Sequence, residues 1–355
     1  DTLYGTSLIA RDVETGARAW HIQMVHHAVW NMDNPDAPHL VDVTVDGEEI
    51  PAVAAVTKQG FTYVFTRETG APVWPIEERE VPQTDVPYER MAPTQPHPTK
   101  PAPFEMQGMT EDHLIDFTPE LRAQAARIAG QYRMGPLFTP PSLWEDEDGT
   151  NGAFVVPGAN GGANIPGGAA VDPETGVLYV ASQRGHSVIS LIPGDQRGEV
   201  LGGEDSNMHY VSRGPGGVRG PQGLPLLKPP YGSITAIDLN TGDHLWQIPN
   251  GDTPESVKNH PALQGVDLPR TGKNAHANIL VTKNLLFYGE GRGQEPLLHV
   301  VDKRTGEEIT TIDLPAPTNT APMSYVHEGR QYIILSVAGP GEPAQLVALA
   351  LPEGS

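Results

Sequence analysis

The sequence predicts an all-β protein assembled from repeated hairpins in the manner of a β-propeller. Five times along the chain a run of small or β-branched residues ends in a Thr-Gly pair: Asp12-Val-Glu-Thr15-Gly16, Thr66-Arg-Glu-Thr69-Gly70, Asp172-Pro-Glu-Thr175-Gly176, Asp238-Leu-Asn-Thr241-Gly242 and Asp302-Lys-Arg-Thr305-Gly306. Three copies place a Trp four residues after the Gly, at Trp20, Trp74 and Trp246, and these are three of only five tryptophans in 355 residues. Self-similarity of this kind marks a repeat architecture.

Each copy reads as a hairpin turn. An Asp opens the turn by accepting hydrogen bonds from the backbone just ahead, and the Gly supplies the positive φ that closes it. The flanks are strand-like: Leu8-Ile9-Ala10 enters the first copy, Ser233 to Ile237 the fourth, and Leu298-His299-Val300-Val301 the fifth. A Trp at a fixed offset then fills the seam between neighbouring sheets, as a per-blade aromatic does in propellers. Five unrelated hairpins in a sandwich is the competing arrangement.

Gly-to-Gly spacings of 54, 106, 66 and 64 residues follow from positions 16, 70, 176, 242 and 306. Four-stranded units with long loops fit three of these, and the span of 106 predicts one unit without the signature plus an insertion. The result is roughly five units in a single domain covering 1–355, against the four to eight blades of closed propellers. Within it, 75–150 predicts a long insertion. Eight prolines fall between 75 and 108, with Pro72 just before, so that stretch runs extended. A helix follows, capped by Thr118-Pro119-Glu120, striped by Leu121, Ala125 and Ile128, and stopped at Gly130. Gly202 to Pro230 reads as a second Gly/Pro-rich loop near a rim.

Composition excludes several functions. A formal net charge of −21 opposes binding to nucleic acid or an anionic membrane. Cys is absent, so no disulfide, thiolate metal site or covalent haem attachment can form within the chain. No apolar run of about 18 residues exists to span a bilayer. The chain begins at Asp1 without an initiator Met or a signal peptide, which predicts either a removed leader with upstream sequence or a fragment.

Several separate motifs then carry a resemblance. They are Trp20-His-Ile-Gln-Met-Val-His26-His27-Ala28-Val29-Trp30-Asn31-Met32-Asp33-Asn-Pro35, Val56-Thr57-Lys58-Gln59-Gly60, Pro93-Thr94-Gln95-Pro96, Phe138-Thr139-Pro140-Pro141-Ser142 and Pro157-Gly-Ala-Asn160-Gly-Gly-Ala-Asn164-Ile165-Pro-Gly167, followed by Pro230-Tyr231-Gly232, Gly289-Glu-Gly-Arg292-Gly293 and Thr320-Ala-Pro-Met323-Ser-Tyr325. In this order they resemble the pyrroloquinoline quinone (PQQ) dehydrogenases, the glucose- and quinate-dehydrogenase-like branch above all, over essentially the whole chain. The resemblance implies an eight-bladed quinoprotein propeller with tryptophan-docking turns, of which this chain covers about the last five blades. Earlier blades, which in the family supply residues stacking on the quinone and part of the calcium site, have no counterpart here.

The same resemblance implies PQQ and calcium as cofactors, a lanthanide being the variant ion, and a periplasmic location. It implies oxidation of an alcohol, aldose or cyclic polyol, with electrons passing to a separate quinone or cytochrome acceptor. The basic residue that holds the quinone oxygens matches Lys58, which on its own reads as a solvated turn lysine. Asn160, Asn164, Tyr231 and Arg292 match or neighbour positions around the quinone, although Asn in a Gly-rich loop is ordinary turn chemistry and Arg292 reads equally as a surface residue.

The family's catalytic Asp falls at Asn31, and Ala28 stands where another Asp is usual. An amide has no useful basicity near neutral pH. Two readings follow. On a strand Asn31 and Asp33 share a face, so both can serve the metal and the chemistry, Asp33 at an offset where lanthanide-using relatives carry a metal ligand. Alternatively catalysis is impaired or lost, leaving a protein-binding scaffold or a truncated product. Ile165 replaces a Trp common in its motif, and His26 and His27, adjacent on a strand, point to opposite faces and form no metal pair.

Overall fold

The computed structural model describes residues 3–165, 167–214 and 216–352; Pro166 of the glycine-rich motif lies outside them. The first sheet pairs β1 (Ser7–Arg11) with β2 (Arg18–Gln23) across the Asp12 turn. The second orders β3 (His39–Val45), β4 (Glu48–Val56) and β5 (Thr62–Thr66). After it come a hairpin of β6 (Ile76–Glu80) and β7 (Thr94–Pro98), and helix α1 (Pro119–Ala129). Short strands β8 (Ser142–Leu143) and β9 (Ala153–Val155) precede a third sheet of β10 (Gly162–Ala163), β11 (Ala169–Asp172), β12 (Val177–Gln183), β15 (Gly232–Asp238) and β16 (Asp243–Pro249). Between β12 and β15 the chain leaves to form β13 (Ser187–Pro193) and β14 (Tyr210–Ser212), which join β8 and β9 in a separate sheet. The fourth sheet runs β17 (Asn278–Val281), β18 (Leu285–Gly289), β19 (Leu297–Asp302), β20 (Glu308–Asp313), and the fifth β21 (Met323–His327), β22 (Arg330–Gly339), β23 (Glu342–Leu349).

Burial explains which sequences became which strands. β12, Val-Leu-Tyr-Val-Ala-Ser-Gln, is buried along its whole length because neighbouring sheets cover both its faces. β16 of the same sheet alternates exposed and half-buried positions, and β20 is nearly all exposed, so both are outer strands. Four apolar interfaces join the five sheets in chain order. Trp20 and Ile22 meet Val53, Ala55 and Phe65; Val41, Ala52 and Val56 meet Leu178, Val180 and Ile237; Tyr179, Ala181 and Ile234 meet Ile279, Leu286 and Val301; Phe287, Leu298 and Val300 meet Leu335 and Val337. Sheet-on-sheet stacking of this kind around a ring is propeller packing.

The tryptophans occupy the seams as the repeats predict. Trp20 lies on Gly70 of the next sheet, where a Cβ would come within 2.7 Å of the indole, and its Nε1 donates to the Arg67 carbonyl at 2.9 Å. Trp246 lies on Gly306 in the same way, with Nε1 donating to the Lys303 carbonyl at 3.2 Å. Only glycine admits an indole this close, and these glycines also hold φ of +72° and +76°.

Two expectations are corrected. The Asp172 turn does not open a unit of its own: it joins β11 to β12 in the sheet whose β15 and β16 are joined by the Asp238 turn. The span of 106 residues therefore holds insertions and no additional unit, since the second and third sheets pack directly and Trp74 reaches Gly242. The Asp-x-x-Thr-Gly device closes hairpins anywhere, and here it also anchors a buried cation: Lys303 Nζ donates to Asp172 Oδ2 at 2.6 Å. In α1, Thr118 Oγ1 accepts from Leu121 N as expected, and the inward face is Leu121, Ala125 and Ala129 with half-buried Ile128 packed beside them.

Every Thr-Gly turn lies at one end of its sheet. The opposite end carries the segments after β2, β4 and β18, the stretches on either side of β10 and the residues entering β15, and those hold the candidate site residues.

Candidate active site

Residues 24–38 after β2 form no strand. The expectation that Asn31 and Asp33 share a face through strand pairing therefore fails in its premise, and the argument that placed His26 and His27 on opposite faces fails with it: His27 has φ +43°, which breaks any strand. The two side chains nonetheless converge. Met32 between them is 2% exposed and packs in the core, so the extended backbone turns Asn31 and Asp33 outward together.

Three contacts fix this segment, and each explains a motif. The Gln95 side chain, fully buried, clamps His26 by accepting from its N at 2.8 Å and donating to its carbonyl at 2.7 Å. Trp30 Nε1 donates to the Thr139 carbonyl at 2.7 Å while its ring packs against Phe138. Gln59 Nε2 donates to the Met32 carbonyl at 3.0 Å. The role of Gln95 was not foreseen, because nothing in Pro-Thr-Gln-Pro by itself distinguishes a backbone clamp from a surface amide.

Lys58 stands in the tight turn between β4 and β5, where Gly60 N donates to the Thr57 carbonyl at 3.2 Å. It is 4% exposed, not a solvated surface lysine. The loop bearing Asn160 closes over it, with Ala163 N donating to the Thr57 carbonyl and Gly162 so near that a Cβ would collide with the Lys58 carbonyl oxygen. Lys58 Nζ donates to Asn31 Oδ1 and to Asp33 Oδ1, each at 2.7 Å. A buried ammonium needs such partners, and charge-assisted bonds of this length are strong ones. The Asp33 side chain remains 62% exposed, so a ligand can reach its other oxygen.

The remaining candidates form two neighbouring groups. Asn164 is buried and donates Nδ2 to the Ala275 and Ala277 carbonyls at 3.4 and 3.3 Å, while its Oδ1 lacks a partner among the described residues. Beside it a polar cavity of 480 Å³ is lined by Ile165, His276, Asn278 and Arg292 among others. His276 Nδ1 lies 2.6 Å from the Ile165 carbonyl and therefore donates to it, leaving Nε2 to accept from Gln183 at 3.0 Å; Gln183 also donates to the Asn160 carbonyl. Tyr231 is separate. It lines a 310 Å³ cavity with Arg184 and His186, is itself buried, and burial pushes its phenol well above the ordinary tyrosine range. Burial likewise pushes the His186 imidazole down, favouring its neutral form.

Two cationic donors suit the oxygens of a quinone, the Lys58 ammonium and the Arg292 guanidinium, both at this end of the sheets, whereas the Asn164 NH2 is already engaged by backbone carbonyls. The site is incomplete for a hard cation, which takes six or more oxygens. Asn31 and Asp33 offer two that already converge on a positive charge, and among the described residues no cluster of three or more His, Cys, Asp or Glu is arranged to hold a metal.

Comparison with known proteins identifies the family. Residues 1–333 match the PQQ family model described as the glucose/ethanol/alcohol dehydrogenase β-propeller domain. A probable quinate dehydrogenase (quinone) of Xanthomonas campestris pv. juglandis is 33% identical over 99% of this chain and 46% of its own length. The quinoprotein glucose dehydrogenase of Escherichia coli K12 is 32% identical over 99% and 45%. The chain thus spans about half the length of the curated relatives it matches. Among solved structures, a europium-containing methanol dehydrogenase superposes with a TM-score of 0.56 at 17% identity over 95% of this chain and 45% of its own, and the quinohemoprotein alcohol dehydrogenase of Comamonas testosteroni with 0.53 at 19% over 94% and 39%, likenesses of fold. With family motifs meeting around Lys58 on a propeller scaffold, this chain belongs to the PQQ-dependent dehydrogenase family, in its glucose- and quinate-dehydrogenase branch.

Proposed function

We propose that this chain supplies the proton-accepting and cationic part of the active centre of a PQQ-dependent dehydrogenase that oxidises a hydroxyl-bearing carbon of an alcohol, aldose or cyclic polyol. The observation that carries the reading is the pair of 2.7 Å bonds from Lys58 Nζ to Asn31 and Asp33. Asn31 cannot take a proton near neutral pH, so the base of this trio is Asp33. Lys58 holds Oδ1 of that carboxylate and leaves Oδ2 for the substrate hydroxyl, while Asn31 fixes the ammonium from the other side. The third N–H of Lys58 would be left to donate to a ligand oxygen that gains negative charge. PQQ, when bound, supplies the two-electron acceptor for the substrate's hydride. Asn160, Asn164 and Arg292 would hold its edge; Tyr231, enclosed in its own cavity, would support that face through packing.

The motif resemblance further supports a periplasmic enzyme that delivers electrons to a separate quinone or cytochrome acceptor. No helix of the described residues is long and apolar enough to cross a membrane. The test is reconstitution with PQQ and calcium, of this chain alone and with the upstream half of a full-length relative supplied, followed by quinone absorbance and dye-linked oxidation of a polyol panel. Quinone binding with turnover that requires Lys58 is expected. Absence of quinone binding in the completed protein overturns the reading.

A further inference from the structure

Lys58 reaches Asn31 and Asp33 only while its turn stays in place, and that turn is short, with Gly60 at φ +83°. Two segments clasp it. One is the loop that carries Asn160 and runs into β10. The other comes from the insertion: Phe104 N donates to the Gly60 carbonyl at 2.9 Å, Gln107 Nε2 donates to the Gln59 carbonyl at 2.8 Å, and Glu105 lies so close that a Cβ on Gly60 would come within 3.3 Å of it. Residues 104–107 form no strand or helix, so their position depends on what they grip.

Phe104 is buried between the second and third sheets, and apolar packing of this kind is not directional. Glu105 supplies the direction. Its side chain is 1% exposed, and its carboxylate accepts from Arg184 Nε at 2.8 Å, Ser182 Oγ at 3.2 Å and Met106 N at 2.8 Å. Arg184 is itself fixed, donating Nη1 to the Lys228 and Pro229 carbonyls at 3.1 Å and its backbone N to the Tyr231 carbonyl at 2.8 Å. Ser182 and Gln183, at the end of β12, also pair with β10. Both clasps on the Lys58 turn are thus mounted on the same few residues of the third sheet. A buried ion pair adds little stability over apolar groups of the same volume, but its charge-assisted bonds fix an orientation.

We propose that Glu105 is a positioning residue for Lys58: its carboxylate fastens residues 104–107 to the end of β12 and so holds the turn where Nζ meets Asn31 and Asp33. The consequence for catalysis rests on the reading of Lys58 as the cation of the active centre. The anchoring does not, and the experiment reads the two separately.

Amine acetylation of this chain, followed by mass spectrometry, reads the anchoring without cofactor or turnover. Lys58, Lys273 and Lys303 are 4%, 4% and 6% exposed, so each is labelled only when its surroundings open. Lys273 and Lys303 pair with Glu290 and Asp172, away from the turn, and report any general loss of stability. Glu105→Gln keeps the shape and removes the charge, and should raise Lys58 labelling about tenfold relative to both. Arg184→Gln leaves residues 104–107 untouched and should do the same, while the double variant should expose Lys58 no further than the more affected single one. Should either variant unfold outright, Glu105→Asp, which keeps the charge and shortens the reach, carries the same comparison. In the completed, PQQ-loaded protein, kcat per bound quinone should fall about tenfold with KM little changed. An equal rise at all three lysines, or no rise at Lys58, overturns the proposal. Selective labelling with unchanged turnover keeps Glu105 as the anchor and overturns Lys58 as the active-centre cation.

Discussion

Asp172→Asn should destabilise this protein more than any surface charge removal, and the structure gives the size. Asp172 is 4% and Lys303 6% exposed, and they meet at 2.6 Å between the third and fourth sheets. Thr175 Oγ1 also donates to the same carboxylate oxygen at 2.6 Å. The substitution keeps the shape and removes the charge, so Lys303 retains only the Thr282 carbonyl at 3.2 Å and a neutral amide. Removing one partner of a buried pair costs about 3–5 kcal/mol. At roughly 2 °C per kcal/mol for a large domain, the midpoint of thermal unfolding should fall by about 6–10 °C. Burial pushes the Asp172 carboxyl up, but the Lys303 and Thr175 bonds outweigh it and hold the group below its ordinary value. A carboxyl depressed in the folded state contributes stability above its unfolded pKa of about 3.9 and loses it as pH falls through the folded value. The gap between parent and variant should therefore be full at pH 7 and close in acid. Circular dichroism melts at pH 7 and below pH 4 measure both quantities, and Asp172→Leu/Lys303→Met should recover most of the loss. A shift under 2 °C at pH 7, or a double variant that simply adds the two single losses, refutes the reasoning.

Two further outcomes follow from close contacts. Gly162→Ala places a methyl against the Lys58 carbonyl at φ +76°, so it should displace the lysine and lower turnover about a hundredfold, whereas Gly16→Ala, at φ +69° with nothing within 4 Å, should leave turnover unchanged. Trp246→Ala removes an indole from Gly306 and its bond to the Lys303 carbonyl, and should cost about 3 kcal/mol in a denaturant titration; Trp246→Phe should cost about 1 kcal/mol.

The scaffold was legible because its signals are local. A turn closed by Asp, Thr and a positive-φ glycine is decided within five residues, and a Trp at a fixed offset reports a seam that recurs. What failed was the assignment of one turn to each unit, because the Asp172 turn uses the same chemistry inside a sheet already marked by Asp238. The site was legible in its residues and not in its support. Asn31, Asp33 and Lys58 do meet, yet the strand assumed for the first two is an irregular segment held by Gln95, Gln59 and Trp30. Gln183 and His276 escaped notice for a related reason: they act 93 residues apart, and neither sits in a pattern of its own. Long-range amide contacts leave no periodicity to read.

The central claim is that Asp33, gripped by Lys58, has the role that Asn31 cannot perform. Turnover of the PQQ-reconstituted, completed protein should fall by about 10²–10⁴ in Asp33→Asn, with quinone affinity little changed, and Asn31→Asp in that background should restore part of it. Full activity in Asp33→Asn would contradict the account.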